Sequence, residues 1–336
     1  MTKCTQRYSN RSVAGLAVLA ILFMFSASLS AQGIAPAFAG NVAVAGPDRP
    51  PEVPEGYVIT PFGYFHPSCV FGIEEGETLL ADGRVEHVDG TVEANVPVCS
   101  YPHYTPTGSL APTNAKEASG NVPAIDGWLE YVSTTTTTSY GEIKATWTVP
   151  PPPTTNDGQT LFFFPGFEDY SDVISIVQPV LQFGNSAAGG KNYWAVASWN
   201  CCITGVAWYS HLLKVNSGDT ILGTIISPCK AGLEYCATWR VVSADETTGK
   251  KTTLSKAPAE GQVWNWGFGA VLEVYGVRQC SDFPANASAV STVQLYDQKR
   301  KLISNPGWTG VPPGQGTSPN CNYGVNVTAT QETLEY

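Results

Sequence analysis

The sequence has little positive charge. Its 336 residues include 18 Lys and Arg against 28 Asp and Glu, so the net charge is −10 and the pI is near 4.9. No stretch gathers Lys and Arg into a basic stripe, which is the feature that binds phosphate-rich partners. The composition therefore predicts no nucleic-acid partner and no attraction to anionic membranes. A charged fraction of only 14% with 11% aromatic residues favours a compact protein that tolerates acid.

Histidine is scarce in the C-terminal two thirds of the chain. Residues 126–336 contain only His211, within an alternating run that is typical of a strand. A Ser-His-Asp or Cys-His site would need this residue, and no Gly-x-Ser-x-Gly turn accompanies it. The sequence also lacks a His-Glu-x-x-His zinc motif and a Gly-rich phosphate loop. We therefore expect no metal and no other cofactor, and hydrolysis would have to use carboxylate and amide groups.

Helical periodicity is also missing. From residue 126 onward, short runs are either alternating or wholly apolar, and Gly, Pro, Asn or Ser separate nearly all of them. Residues 142–149 alternate, whereas residues 161–164 form an apolar run. The pattern predicts that residues 126–336 form one all-β domain, a sandwich or barrel long enough to bury a core.

Only one long hydrophobic run is present, at residues 14–29. It follows three basic residues and precedes the small-x-small site Ala37-Phe38-Ala39, so residues 1–39 are predicted to be a signal peptide. An uncleaved N-terminal anchor is the alternative. The run is shorter than a membrane-spanning helix, which needs about 20 residues. The mature protein is predicted to be secreted, with no membrane contact after signal removal.

Cysteine is more abundant. Eight cysteines remain once the signal is removed, and an even number in an exported chain favours disulfides. Two lie upstream of residue 126 and six lie downstream, so each set can pair within itself. Cys229 and Cys236 bracket a short turn and suit each other, whereas the adjacent Cys201 and Cys202 are expected to bond to different partners. The remaining connectivity stays open.

Residues 40–125 differ in composition from the rest. They are rich in Pro and Gly and carry 11 acidic against 3 basic side chains. Their lack of sustained periodicity suggests a pro-segment, a linker or a small β-module.

Two apolar runs each carry a polar residue where a core strand should have none: Gln178 in residues 176–183 and Glu273 in residues 270–277. Burying a carboxylate in such a run is costly unless it has a partner or a function. We take the pair as the candidate active site, with Gln182 as the functional amide if the register differs by four residues. The ordinary alternatives are an edge-of-sheet amide for Gln178 and a half-exposed charge for Glu273.

At these residues the sequence resembles the eqolisins, a family of glutamic peptidases. Residues 164–169 (Phe-Pro-Gly-Phe-Glu-Asp) and 176–180 (Ile-Val-Gln-Pro-Val) resemble the family's Trp-Val-Gly-Ile-Asp-Gly segment and Ile-Leu-Gln-Thr-Gly strand, at the same separation. Residues 270–275 (Ala-Val-Leu-Glu-Val-Tyr) resemble the strand that carries the family's catalytic Glu. Weaker similarities in the same order extend across most of residues 126–297.

The resemblance implies a two-sheet antiparallel β-sandwich of the concanavalin-like or jelly-roll kind over residues 126–336. It also implies a secreted endopeptidase that acts in acid on polypeptides, and we expect a monomer. In this family scheme Glu273 activates a water molecule and Gln178 stabilises the oxyanion. The residues expected to bind substrate are Phe164, Glu168, Gln182, Trp194 and Tyr275. Phe164, Glu168 and Gln182 stand where the family has a Trp and two Asp, so the cleaved bond remains open.

Two other classes fit a β-sandwich of this composition. A carbohydrate-binding module would stack sugars on exposed Trp and Tyr, and a non-catalytic structural protein would have no cleft. Within the peptidase interpretation, a basic pro-segment usually neutralises an acidic domain. Residues 40–125 are more acidic than the domain that they precede, so we do not expect them to be inhibitory.

Overall fold

The computed structural model describes residues 49–111, 128–171, 175–202, 205–286 and 288–336, all within one unit that runs from Gly40 to Tyr336. The predicted signal peptide, with its Ala37-Phe38-Ala39 site, lies outside the described residues. Within the described ranges, no helix is long and apolar enough to cross a membrane.

Short strands make up the fold, as the alternating and wholly apolar runs predict. Two single 3-10 turns, Pro67–Cys69 and Cys280–Asp282, are the helical elements of the described residues. The strands are β1 (Val58–Thr60), β2 (Gly63–Phe65), β3 (Val70–Ile73), β4 (Thr78–Leu79), β5 (Val85–Glu86), β6 (Trp128–Thr135), β7 (Tyr140–Thr148), β8 (Thr160–Glu168), β9 (Ile176–Phe183), β10 (Trp194–Cys201), β11 (Ala207–Ser210), β12 (Leu213–Lys214), β13 (Thr220–Ile226), β14 (Thr238–Asp245), β15 (Lys250–Pro258), β16 (Trp266–Tyr275), β17 (Ser288–Asp297), β18 (Thr309–Val311), β19 (Gly324–Val327) and β20 (Gln331–Glu335).

Two large sheets form a β-sandwich, which confirms the predicted fold class. The first sheet has the order β18-β6-β16-β8-β9-β10-β11-β3, with β12 paired to β10, and the second has the order β15-β14-β13-β7-β17-β20-β19. Every pairing in the two sheets is antiparallel except that of β3 with β11. The antiparallel expectation therefore holds for residues 126–336, and the parallel strand is contributed by the segment upstream.

The central strands of the first sheet are buried on both faces. Strands β8, β9 and β10 are buried along their whole length. Their inner face packs against the second sheet, through residues such as Phe163, Leu181 and Val196. Their outer face, with Phe162, Val180 and other residues, packs against residues 53–69. This double burial explains why the runs are wholly apolar where a half-exposed antiparallel strand would alternate.

Strand β16 bends opposite a proline. Its ladder with β8 is regular on both sides of a break between Phe268 and Val271, which pair with Gly166 and Phe164. Pro165 lies between these two partners and has no N–H to donate to the ladder. The resulting bulge fixes the face to which the next residues of β16 point.

The described residues contain four disulfides: Cys69–Cys99, Cys201–Cys202, Cys229–Cys236 and Cys280–Cys321. The upstream and downstream sets each pair internally, and Cys229 pairs with Cys236, as the sequence suggested. The expectation for Cys201 and Cys202 was wrong, because these neighbours bond to each other. The other six cysteines are used up by three more distant pairs, which leaves the adjacent two with no other partner.

Candidate functional site

Gln178 lies at the centre of the first sheet, on the outer face of β9. Its side chain is completely buried, beside its cross-strand neighbour Trp199 on β10. The amide Nε2 donates a hydrogen bond of 3.1 Å to the backbone carbonyl oxygen of Pro61, 117 residues away in sequence. The amide Oε1 is buried without a hydrogen-bond partner among the described residues. The amide thus holds a peptide carbonyl oxygen through its N–H and keeps one acceptor available.

Glu273 lies on β16 and faces the same outer surface. Its side chain is completely buried, with Oε1 within hydrogen-bond distance of the Tyr275 hydroxyl. Burial raises the pKa of Glu273 to about 8, and the Tyr275 hydroxyl and the nearby Trp128 indole only partly oppose this. Neither Glu273 Oε2 nor Trp128 Nε1 has a hydrogen bond of normal geometry within the described ranges. The carboxyl is therefore protonated in acid in this covered state.

The Tyr275 hydroxyl connects Glu273 to the same upstream turn that Gln178 contacts. It lies 2.9 Å from the carbonyl oxygen of Thr60 and also beside Glu273 Oε1. One phenol proton cannot serve both acceptors. With Glu273 protonated, its O–H donates to the Tyr275 oxygen and Tyr275 donates to Thr60. This chain of donors satisfies all three groups and agrees with the raised pKa of Glu273.

Gln178 and Glu273 are connected through this turn, because they are not direct neighbours in the register of the sheet. Glu273 pairs across β8 with Phe162, which in turn pairs with Gln182, so Gln182 is the residue of β9 level with Glu273. Gln178 lies four residues before Gln182 on β9. Its side chain and the Glu273–Tyr275 pair nevertheless contact adjacent carbonyl oxygens, those of Pro61 and Thr60.

Gln182 is committed to a neighbouring loop. Its Nε2 donates to the carbonyl oxygens of Gly184 and Gly189 at 3.0 and 2.8 Å, and its Oε1 accepts from the Ser186 hydroxyl at 2.8 Å. All of its contacts hold the turn that follows β9. These bonds leave Gln178 as the amide that contacts the Pro61 carbonyl.

The other residues expected to bind substrate divide between the two faces. Phe164 is buried on the outer face, edge-on to Trp128 at 5.5 Å. Glu168 is also buried, at the far end of the same strand. Burial, and to a smaller extent nearby Glu168, raises the pKa of Tyr131. Trp194 lies on the opposite face, in the core between the sheets against Phe183. The structure thus gathers Phe164 and Tyr275 near the candidate pair and places Trp194 away from it.

Three features of the site are not among the residues predicted to catalyse or to bind substrate. Trp199 flanks Gln178, Trp128 lies against Glu273, and the turn at Thr60 and Pro61 covers both. Alternation along β10 would have placed Trp199 on the correct face, because it is five residues from Trp194. No local pattern predicts the turn, since its contacts join residues more than 100 positions apart. In the described part of the chain, no group of three or more His, Cys, Asp or Glu is arranged to hold a metal ion.

No family model matches the sequence, and no curated protein matches it. In structure the chain resembles the eqolisin peptidases. A crystal structure of scytalido-glutamic peptidase with a peptide-based transition-state analogue matches at a TM-score of 0.44 and 11% identity, over 62% of this chain and 98% of that chain. SCP-B, an eqolisin in complex with the tripeptide Ala-Ile-His, matches at 0.43 and 11% over the same shares. Aspergilloglutamic peptidase from Aspergillus niger matches at 0.29 and 15%, over 53% and 98%.

Proposed function

We propose that the protein is a secreted glutamic endopeptidase that hydrolyses peptide bonds in acid with Gln178 and Glu273. The observation that supports this proposal is the hydrogen bond from Gln178 Nε2 to the Pro61 carbonyl oxygen. It is the contact that an amide must make to hold the carbonyl of a bound polypeptide. The rigid, water-excluded face around it is the setting in which such a donor is most effective.

In the proposed reaction each group acts on one atom of the substrate. Ionised Glu273 takes a proton from water, which attacks the carbonyl carbon of the peptide bond. The Gln178 N–H stabilises the negative charge that develops on the carbonyl oxygen. Glu273 then returns the proton to the leaving nitrogen, and the Tyr275 hydroxyl beside it orients the carboxyl. Phe164 and Trp199 would form the apolar wall against which substrate side chains pack.

Ionisation of Glu273 sets the condition for activity. A carboxyl with a pKa of about 8 is protonated in acid and cannot act as a base. When the outer face opens to water, the desolvation that raises this pKa falls and the carboxyl can ionise at lower pH. The active form is therefore one in which the upstream turn no longer covers Glu273.

Export fits the four disulfides, which persist in an oxidising compartment. The carbohydrate-binding alternative needs exposed aromatic platforms. None of the nine tryptophans is exposed, and each belongs to the described residues; Tyr101, Tyr170 and Tyr235 are the exposed rings that such a module would have to use. The peptidase remains the function that the site favours.

The test compares three forms of the protein purified from the medium of secreting cells: wild type, Glu273→Gln and Glu332→Gln. Glu332 is a second fully buried carboxyl, located on β20 of the other sheet, so it controls for loss of a buried carboxyl as such. Each form is incubated with an unfolded protein from pH 2 to 7, with pepstatin present to suppress aspartic peptidases.

We expect acid hydrolysis by wild type and by Glu332→Gln, and a loss of about 10³-fold or more in Glu273→Gln, the scale at which a catalytic group contributes. Equal hydrolysis by wild type and Glu273→Gln would contradict the assignment of Glu273. Failure of every form to hydrolyse the substrate, once the upstream turn no longer covers Glu273, would favour the carbohydrate-binding sandwich.

A further inference from the structure

Two exposed surfaces of the chain carry opposite charge. The basic patch comprises the loops at residues 229–236 and 297–302, and the acidic patch comprises residues 74–93 of the upstream segment. We propose that the basic patch of one molecule docks the acidic patch of a second copy of this chain. The inference is independent of the proposed function, because neither patch includes a residue of the Gln178–Glu273 site.

The two loops of the basic patch form one fixed surface. The guanidinium Nη2 of Arg300 donates to the carbonyl oxygen of Cys229 at 2.8 Å. The backbone N–H of Gly232 donates to the carbonyl oxygen of Gln298 at 2.7 Å. The Cys229–Cys236 disulfide closes the first loop on itself. The side chains of both loops therefore face solvent from one shared, cross-linked base.

Positive charge is concentrated in this patch, although the chain as a whole is acidic. Its exposed basic side chains are Lys230, Lys299, Arg300 and Lys301. The same loops contain two acidic residues, Glu234 and Asp297. The Asp297 carboxylate accepts hydrogen bonds from the backbone N–H groups of Lys299 and Lys301, at 2.8 and 2.9 Å, so it is used within its own turn. The net charge of the patch is positive on a chain of net charge −10.

The acidic patch is also built by local hydrogen bonds. Strands β4 and β5 pair, and a third stretch joins them through the bond from the Glu93 N–H to the Val85 carbonyl oxygen. Carboxylates converge around His87, whose pKa is raised by its hydrogen bond to Glu77 and further by the charges of Glu93 and Asp89. Residues 74–93 contain seven acidic residues, with Arg84 and His87 as the cationic side chains.

Each patch also exposes apolar side chains. Val88 is 74% exposed and Val92 is 41% exposed in the acidic patch. Leu233, Tyr235 and Leu302 are between 45% and 54% exposed in the basic patch. Apolar side chains grouped on a surface and rimmed by polar ones are typical of protein–protein contacts. The two patches thus match in apolar content and are opposite in charge.

These features favour a second copy of the chain as the partner. None of the ion pairs within the described residues joins one patch to the other, so the patches do not neutralise each other in one molecule. At about 0.15 M salt the Debye length is about 8 Å, so the net charge of −10 is screened while charges in contact still attract. Because the two surfaces differ, the contact is head to tail. This differs from the monomer that the sequence analysis expects.

The test compares four forms of the chain by sedimentation velocity, with the upstream segment retained. All carry Glu273→Gln, so that no form can cleave its own segment. One form has no further change, one adds Lys299→Glu and Lys301→Glu in the basic patch, and one adds Glu74→Lys and Glu75→Lys in the acidic patch. The matched control adds Lys191→Glu and Lys250→Glu, which reverse two exposed charges outside both patches.

We expect the unchanged surface and the control to associate with rising concentration at about 0.15 M salt, and to separate at about 1 M salt, where the Debye length is about 3 Å. Each patch variant should associate at least about tenfold more weakly. An equimolar mixture of the two patch variants should associate again, because the basic patch of one meets the acidic patch of the other. This rescue distinguishes a shared interface from two unrelated effects of charge.

Two results would overturn the proposal. One is a monomer at every concentration for the unchanged surface, and the other is equal association of the patch variants and the control. A parallel measurement uses vesicles of anionic phospholipid. Binding of the monomeric chain to these vesicles, lost in Lys299→Glu with Lys301→Glu and kept in the control, would assign the basic patch to a lipid surface in place of a second copy.

Discussion

Gln178 and Gln182 lie four residues apart on the same face of β9, yet their side chains have different partners. Gln182 makes three hydrogen bonds to the loop that follows its own strand. Gln178 makes one, to the Pro61 carbonyl in the hairpin of β1 and β2, and its Oε1 has no partner in the described residues. The first amide stabilises the fold, and the second contacts what lies on the outer face.

This difference predicts which glutamine carries stability. Gln182→Ala removes the side-chain donor to the carbonyls of Gly184 and Gly189 and the acceptor of the Ser186 hydroxyl. We expect it to lower the free energy of unfolding by about 1–3 kcal/mol. Gln178→Ala removes a single hydrogen bond and should cost less. Urea unfolding of the two variants and wild type measures both values. A larger loss in Gln178→Ala would show that Gln178 is structural.

Single residues also show what the sequence could predict. The polar residues Gln178 and Glu273 stood out because their neighbours are apolar, and the outer face of the sheet does gather both. Trp194 fell on the inner face because the face of a residue depends on strand register. The bond between Cys201 and Cys202 was missed because adjacent cysteines were assumed to look for separate partners.

At the scale of elements, local pattern predicted the strands and could not predict what covers them. The apolar runs of β8, β9 and β10 were predicted as strands, and the structure shows that both of their faces are buried. The outer face is covered by residues 53–69, which include the hairpin of β1 and β2. Its position is set by the Phe62–Trp199 contact and the Pro61–Gln178 hydrogen bond, both of which join distant parts of the chain. Periodicity carries no information on such pairs.

At the scale of the whole molecule, three buried carboxyl groups outweigh buried His103, whose pKa burial lowers to about 4, in the response of stability to pH. Burial raises the pKa of Glu130 and Glu273 to about 8 and that of Glu332 to about 9, from 4.5. Both oxygens of Glu332 lie in the core with no hydrogen-bond partner in the described ranges. The folded protein therefore holds these three protons more tightly than the unfolded chain does.

Stability should consequently fall as the pH rises. The contribution of these groups is complete below pH 4.5, where both states are protonated, and is lost as the pH rises toward 8 and 9. Each group contributes a slope of at most about 1.4 kcal/mol per pH unit. We expect the Tm from calorimetry to decrease between pH 5 and pH 8. The decrease should be shallower in Glu332→Gln. A Tm that rises over this interval would contradict the assignment.

The most direct test of the central claim is a double-variant cycle on the hydrolysis rate in acid. It uses Gln178→Ala, Glu273→Gln and the double variant. Each is made in a chain in which the turn at Thr60 and Pro61 no longer covers the outer face of the first sheet. If the two side chains act on one transition state, Gln178→Ala should lower kcat by about 10²–10³-fold with little change in KM. The double variant should then be no slower than Glu273→Gln alone. Wild-type kcat in either single variant would contradict the claim that this pair performs the chemistry.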